Sequence, residues 1–572
     1  MTTVLHGCWK RYRAGIYPIV LLIVTLGLTG LGLSGGDFWW SDESRHAMDG
    51  VYIHDLLQDH PFFELYQYTE RYYAKYPALA LTWYPPFFAL IEALFYSLFG
   101  ISVLTARLTV IFFASTGMLF WYFFVQKIYG RATAFYSGVL YISTPMVMTW
   151  SHTVMLEIPT TAMIMISMYC FYSYFELDKK RYGFYLALSI CGALYTKQTA
   201  GFILPVFLSY LLLRKQYKKL IQRESLLAGG LLCLFLIPLV VFTWKFGTVG
   251  VSLVLGDLKA AGFKSLLSQW TNYIRILPDN VLSLPVLMLA VVSIGVMVFK
   301  REERGKDLLF LLWIVWWYIY HSYLFGHTVV LTPYREYYGI YVVPPFCVLA
   351  VSAVLRITKA FKKQHHRTLK YLSTLLLPAV CLYQLMVSCR VDMLRYIDTV
   401  YDRAAEFVVN NPKGATVLIS ASYDGTFIFH LRKHDLEKKM IALRADKTLV
   451  SFSVFKKWGM SSYVDTEDDM YDLLRNYGTG YIVVEDQAIG EHRGIETLDM
   501  LKEMLRSGNF TLVKRLFSTH TIEPCCCCPK KKMHEISLSI YEYNTISEPQ
   551  ARELVIRFFH LGREIRIPFS KM

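Results

Sequence analysis

Two carboxylates and a guanidinium stand together early in the chain, in Trp39-Trp40-Ser41-Asp42-Glu43-Ser44-Arg45. A carboxylate can take a proton from a hydroxyl, and an arginine can grip a phosphate through two parallel hydrogen bonds. The same residues also suit a helix start, where Asp42 or Glu43 would cap free backbone N–H groups. A third acid, Glu157, lies in Met155-Leu156-Glu157-Ile158-Pro159. An acid beside so apolar a stretch is a functional candidate by default, or else a first-turn residue ahead of Pro159. Lys197, in Tyr195-Thr196-Lys197-Gln198, is a lone cation among apolar residues. It either meets a lipid phosphate or snorkels to headgroups. Arg335, with Tyr334, Tyr337 and Tyr338, is a phosphate ligand or part of an interfacial aromatic belt. Acids and cations gathered on one membrane face suit a lipid-phosphate substrate, with an acid as base.

The elements that must hold these residues are membrane helices. The chain has 572 residues, 54% of them apolar, and its charge is pushed into short clusters between long apolar runs. A run of about 20 residues matches the ~30 Å hydrocarbon layer when helical. The net charge of +15 would suggest nucleic-acid binding in a soluble chain. Here the basic residues flank apolar runs and act as topology signals instead. About eleven runs qualify as spans: 16–34, 105–125, 132–150, 158–175, 182–195, 202–213, 226–244, 281–299, 308–325, 339–355 and 372–387. The first follows Lys10, Arg11 and Arg13 and has no small-residue cleavage site, so a retained anchor is expected.

With a cytoplasmic N-terminus, every strongly basic loop falls on one side. The segment 35–104 is then an outside loop, rich in acids such as Asp37, Asp49, Asp55 and Asp59. Within it, 44–58 and 85–99 are expected to be helices lying along the interface. Reading 85–99 as a full span would flip every later loop. A second outside loop covers 245–280. The transmembrane part is thus 1–390, and 391–572 is expected to be a soluble α/β domain outside the cytoplasm. Strands are expected at 416–420 and 481–485, and a helix over 467–477. Of the cysteines, Cys8, Cys170, Cys191, Cys233, Cys347, Cys381 and Cys389 are scattered in or beside apolar runs as small hydrophobes. Cys525 to Cys528 lacks the usual metal-ligand spacing and reads as an exposed loop.

Several blocks in order carry a family likeness. They are Asp42-Glu43-Ser44-Arg45, Tyr84-Pro85-Pro86, Leu98-Phe99-Gly100 with Ala106-Arg107-Leu108, and Ile128-Tyr129-Gly130-Arg131. Ser143-Thr144-Pro145, Leu156-Glu157-Ile158-Pro159 and Leu194-Tyr195-Thr196-Lys197 follow. The chain resembles the polyprenyl-phosphate-dependent glycosyltransferases of the GT-C superfamily, in the branch of protein O-mannosyltransferases and the lipid A aminoarabinose transferase. The resemblance is closest over 16–210. It implies a mostly α, polytopic helix bundle whose outside loops cap a cavity. It also implies Asp42 as catalytic base with Glu43 and Glu157 in the same catalytic group, and Arg45, Tyr84, Lys197 and Arg335 on the donor. Some relatives have an acid and a lysine before the Pro-Pro pair, where Trp83 and Tyr84 stand here. Glu157 replaces an aspartate and Gln198 a glycine, and Arg335 aligns imperfectly with the arginine before Pro344-Pro345.

The expectation is a multi-pass glycosyltransferase of the cell (plasma or inner) membrane. It would move one hexose or pentose from a polyprenyl-phosphate sugar, its co-substrate, to a protein, lipid or glycan acceptor on the non-cytoplasmic face. No metal site is expected, and no nucleic acid. An oligosaccharyltransferase would carry Trp-Trp-Asp, but Trp316-Trp317 is followed by Tyr318. The alternative is a non-enzymatic lipid flippase or transporter, for which internal repeats would be expected and none is evident.

Overall fold

The computed structural model describes residues 2–572 apart from 39, 81–82, 247–262, 300–303, 332, 364–366, 391–399, 453–459, 488–491, 523–531, 546–547 and 559–562. Each apolar run carries helix. Val103–Tyr129, Arg223–Lys245 and Tyr337–Phe361 are long and apolar enough to cross a membrane, and six further apolar helices are shorter. The Arg223–Phe246 helix shows why these runs are apolar all round. Leu234, Ile237 and Val240 are 64%, 60% and 64% exposed. Such a row is out of place in water and at home in lipid. The 132–150 run is two helices, Arg131–Ile142 and Pro145–Ser151. Ser143 and Thr144 hydroxyls donate back to the Val139 and Leu140 carbonyls, and Pro145 opens the second piece. The Tyr182–Thr196 helix stops at Lys197, whose backbone is extended (φ −157°, ψ 126°). A 3₁₀ turn, Gln198–Phe202, leads into Ile203–Leu213.

The first outside loop folds into three helices, Ser41–Asp59, Leu65–Lys75 and Phe87–Phe99. The last has 13 residues, too few to cross a bilayer. It packs face to face on Ser41–Asp59 because Gly50 leaves room for the Glu92 side chain. A Cβ there would lie 2.3 Å from Glu92 Oε2. Farther along, His54 Nδ1 meets Ser97 Oγ at 3.0 Å. Residues 247–262 of the second outside loop fall outside the described residues, and the rest of it carries the helix Phe263–Ile276 and the turn that follows.

The C-terminal part holds β1 (Thr416–Ser420), β2 (Ile441–Arg444), β3 (Val450–Phe452), β4 (Met460–Ser462), β5 (Thr479–Glu485), β6 (Phe510–Ile522), β7 (Lys532–Tyr543), β8 (Glu553–Phe558) and β9 (Arg563–Pro568). A five-stranded sheet runs β2-β1-β5-β7-β6. β1 pairs parallel with β2 and β5, and the β6–β7 hairpin adds antiparallel to β5. Val417-Leu418-Ile419 and Ile482-Val483-Val484 are buried throughout, as central strands covered on both faces require. The helices Tyr401–Asn410, Asp424–His434, Glu467–Asn476 and Glu496–Met504 belong to the same domain. Cys525 to Cys528 lies outside the described residues.

This domain grips the first loop. Arg432 donates to both oxygens of buried Asp55, at 2.8 and 2.6 Å. His430 Nε2 meets Asp37 at 2.9 Å, and Arg444 donates to the Pro77 carbonyl at 2.9 Å. These contacts hold the first loop against the C-terminal part of the chain.

Candidate active site

Arg107 holds the loop where it leaves the first helix. Its buried guanidinium donates to the carbonyls of Leu33, Gly35 and Asp37 at 3.0, 2.7 and 2.8 Å. The Ser41–Asp59 helix then starts with a cap made by Glu43. One Glu43 oxygen accepts from the Trp40 backbone N–H at 2.8 Å, half of a capping box. The other accepts from the Val154 N–H, also at 2.8 Å, three residues before Glu157. Both oxygens are committed to backbone, so Glu43 braces the site and Asp42 is the acid left for chemistry.

Asp42 and Arg45 stand in the first turns of this helix, 3.8 Å apart and 36% and 38% exposed. A pair this open to solvent is weak and can give way to a substrate. Deeper in, the carboxylate of Glu157 is fully buried. Lys197 Nζ donates to Glu157 Oε1 at 2.5 Å, and Glu157 Oε2 has no hydrogen-bond partner among the described residues. The Lys197 ammonium also lies over three phenol rings, Tyr84 at 5.4 Å, Tyr337 at 4.9 Å and Tyr338 at 5.1 Å. Such ring faces are attractive to a cation. The lone, unpaired lysine expected from sequence is therefore corrected. A buried ammonium is tolerated only when neutralised, and its partner stands forty residues away in the chain. Burial holds the Tyr84 phenol well above its ordinary pKa, so it stays a neutral hydroxyl.

Arg335 belongs to the 3₁₀ stretch Pro333–Val342, and its side chain falls outside the described residues. The tyrosines after it, Tyr337 and Tyr338, are the ones that reach Lys197. Sequence reasoning did not single out His46, and it named Arg107 without foreseeing that it ties down the loop carbonyls. His46 packs its ring against Tyr84 with centroids 4.9 Å apart. Its spacing from Asp42, four residues, was the available signal.

One further group could hold a cation. Ligand atoms of Asp424, Asp446 and His492 lie within 4.8 Å of one another. Arg444 already bridges the two acids, donating to Asp446 at 2.8 and 2.6 Å and meeting Asp424 at 2.9 Å. Arg444 offsets one of the two negative charges there, so a metal ion at this group would share the acids with a guanidinium.

Outward to inward, the site offers an exposed carboxylate, a loosely held guanidinium, and a buried acid–ammonium pair ringed by phenols. That arrangement can deprotonate a hydroxyl at its mouth and stabilise an anion inside.

Residues 84–244 match the model of the dolichyl-phosphate-mannose-protein mannosyltransferase family. That stretch includes Tyr84, Glu157 and Lys197 and leaves out Asp42. No curated protein matches the chain by sequence. Among solved structures, ArnT from Cupriavidus metallidurans bound to undecaprenyl phosphate is similar at a TM-score of 0.59. It is 13% identical, over 91% of this chain and 97% of that one. The archaeal oligosaccharyltransferase AglB from Archaeoglobus fulgidus, in complex with an inhibitory peptide and a dolichol-phosphate, is similar at 0.52. It is 11% identical, over 83% of this chain and 70% of that one. The chain has the GT-C-type fold of these structures.

Proposed function

We propose that the protein transfers a single sugar from a polyprenyl phosphate to an acceptor on the non-cytoplasmic side of the membrane. The observation that supports this reading is the buried Glu157–Lys197 pair, ringed by tyrosines, within a GT-C fold. The polyprenyl phosphates bound to the similar structures support the donor class. In the reaction, the acceptor oxygen bonds to the anomeric carbon as the bond from that carbon to the phosphate oxygen breaks. Asp42 takes the acceptor proton, and polyprenyl phosphate leaves. Arg45, Lys197 and Arg335 stabilise charge developing on that phosphate. Lys197 reaches it by sharing its ammonium between Glu157 and the lipid. If the acceptor is itself a phosphate, no base is needed and Asp42 orients it.

The soluble domain and the 35–104 loop would then face the outside, with 1–390 as the transmembrane part and 391–572 as the domain that fixes the loop. The test is incubation of purified protein with a panel of polyprenyl-phosphate hexoses and pentoses. Release of polyprenyl phosphate with at least one donor is expected. Lipid scrambling in liposomes without turnover of any donor would overturn the reading in favour of a flippase.

A further inference from the structure

The helix Glu157–Phe175 has the candidate site at one end and a second charged group at the other. Its 19 residues rise about 28 Å, close to the ~30 Å hydrocarbon layer. At the far end hangs the turn 214–223, which joins the helices Ile203–Leu213 and Arg223–Phe246 through the 3₁₀ piece Tyr217–Ile221. Three acids fix its position. Arg214 meets Glu176 at 3.5 Å, and Gln216 donates to the same carboxylate at 2.9 Å. Lys219 donates to Asp178 at 2.6 Å and to the Phe175 carbonyl at 2.5 Å. Glu224 is taken by Lys180 at 2.6 Å. Segments 176–181 and 214–224 hold eight basic residues against these three acids. Among the described residues, Lys215, Lys218 and Arg223 have no ion-pair partner, and all three are exposed.

The same turn carries bare apolar side chains. Tyr217, Leu220 and Ile221 are exposed, Ile221 by 74%. A 3₁₀ helix brings residues three apart onto one row, so Tyr217 stands in line with Leu220 and Lys218 with Ile221. The exposure continues into the apolar helices on either side, through Leu212 and Leu213 before the turn and Leu226 and Leu227 after it. A soluble acidic partner would satisfy the cations and leave this apolar border in water. An uncharged lipid surface would cover the border and leave the cations without counter-charge. Anionic phospholipid does both, because its phosphate takes the cations and its acyl chains take the border. We infer that the turn 214–223 is a binding site for anionic phospholipid headgroups, at the end of the bundle opposite the candidate active site. Lys215, Lys218 and Arg223 hold the phosphate, and Tyr217, Leu220 and Ile221 enter the layer beneath it. The site stands whether or not the donor reading holds.

The test places the full chain in nanodiscs of equal parts phosphatidylglycerol and phosphatidylcholine. The chain is then extracted in mild detergent, and the lipids that stay bound are counted by mass spectrometry. Wild type should retain phosphatidylglycerol over phosphatidylcholine at roughly five to one, the gain expected from one basic residue at an anionic surface. Lys215→Gln with Lys218→Gln should bring that ratio down to roughly one. Arg131→Gln with Lys359→Gln removes the same charge at the same end of the bundle, near Lys127 and Arg356, and should keep the wild-type ratio. Equal retention of the two lipids by wild type overturns the inference. So does a Lys215 and Lys218 variant that keeps its preference, or a control that loses as much. Binding of inorganic phosphate by the detergent-solubilised chain, with no preference between the lipids, would mark a soluble-anion site and overturns it too. Lys215 has a left-handed backbone, φ 55°. If its replacement does not fold, Lys218→Gln with Arg223→Gln takes its place, with the same outcomes. None of these readouts uses sugar turnover, so failure of the donor reading leaves them intact.

Discussion

Two of the sites of buried charge among the described residues differ in how completely they are paired. At the junction between the first loop and the C-terminal domain, Asp55 receives Nε and Nη2 of Arg432 and the Tyr72 hydroxyl at 2.7 Å. Arg444 likewise spends its donors on Asp446 and the Pro77 carbonyl. Around Lys197, Glu157 has one oxygen bonded and one without a hydrogen bond among the described residues, His46 Nε2 likewise has none, and the ammonium leans on ring faces. Desolvated charges hold a fold together only when hydrogen bonds satisfy them. The junction meets that condition and reads as architecture. The group around Lys197 falls short of it, which is the contrast on which the proposed donor site rests.

Breaking the candidate site should cost activity, and breaking the junction should cost stability. The largest expected effect is at the exposed acid of that site. Asp42→Asn should lower turnover at least roughly a hundredfold, since general-base catalysis contributes about 10²–10⁴-fold. The half-exposed pair with Arg45 contributes little, so thermal unfolding should stay put. Near-normal turnover with a hydroxyl acceptor would remove Asp42 as base.

At the junction, Arg432→Ala leaves Asp55 buried and short of its partner. The expected loss is about 3–5 kcal/mol of stability, read by denaturant or thermal unfolding. Molecules that remain folded should keep most of their turnover. A variant as stable as wild type would show that the domain does not hold the loop.

Lys197 sharpens the contrast because it belongs to both categories. Lys197→Met alone strands the Glu157 carboxylate and should lower stability and donor use together. Adding Glu157→Gln removes the stranded charge, so the double variant should regain stability without regaining donor kcat/KM. Recovery of both would reduce the pair to packing.

The smallest effect concerns His430. Burial alone would lower its pKa, but Asp37 from the first loop and Asp402 from the Tyr401–Asn410 helix raise it to about 9. Lys433 and His434, on its own helix, also contact Asp402. The folded state therefore binds the proton more tightly than the unfolded chain. This contribution is complete below the ordinary histidine value near 6.5 and is lost as pH rises through about 9. It amounts to about 1–3 kcal/mol. His430→Gln should flatten the change in melting temperature over that window. An unchanged slope would assign it to other groups.

How much of this could be read without coordinates depends on how local the physics is. The apolar runs showed as helices because hydrophobicity and length are properties of a segment. The 85–99 segment was too short to span and is the helix Phe87–Phe99. The 416–420 and 481–485 runs were strands because β-branched residues repeat there. Asp42, Glu157 and Lys197 stood out singly, because a charge beside an apolar run is visible in one dimension. Only the tertiary structure decided what each charge pairs with. Glu43 became a brace because Val154 presents an N–H to it across a separation of 111 residues. Lys197 acquired its acid from another helix, and Asp55 met Arg432 across 377 residues. Solvation and pairing of a charge are set by whatever packs against it, and for these residues the chain supplies that neighbour from far along its length.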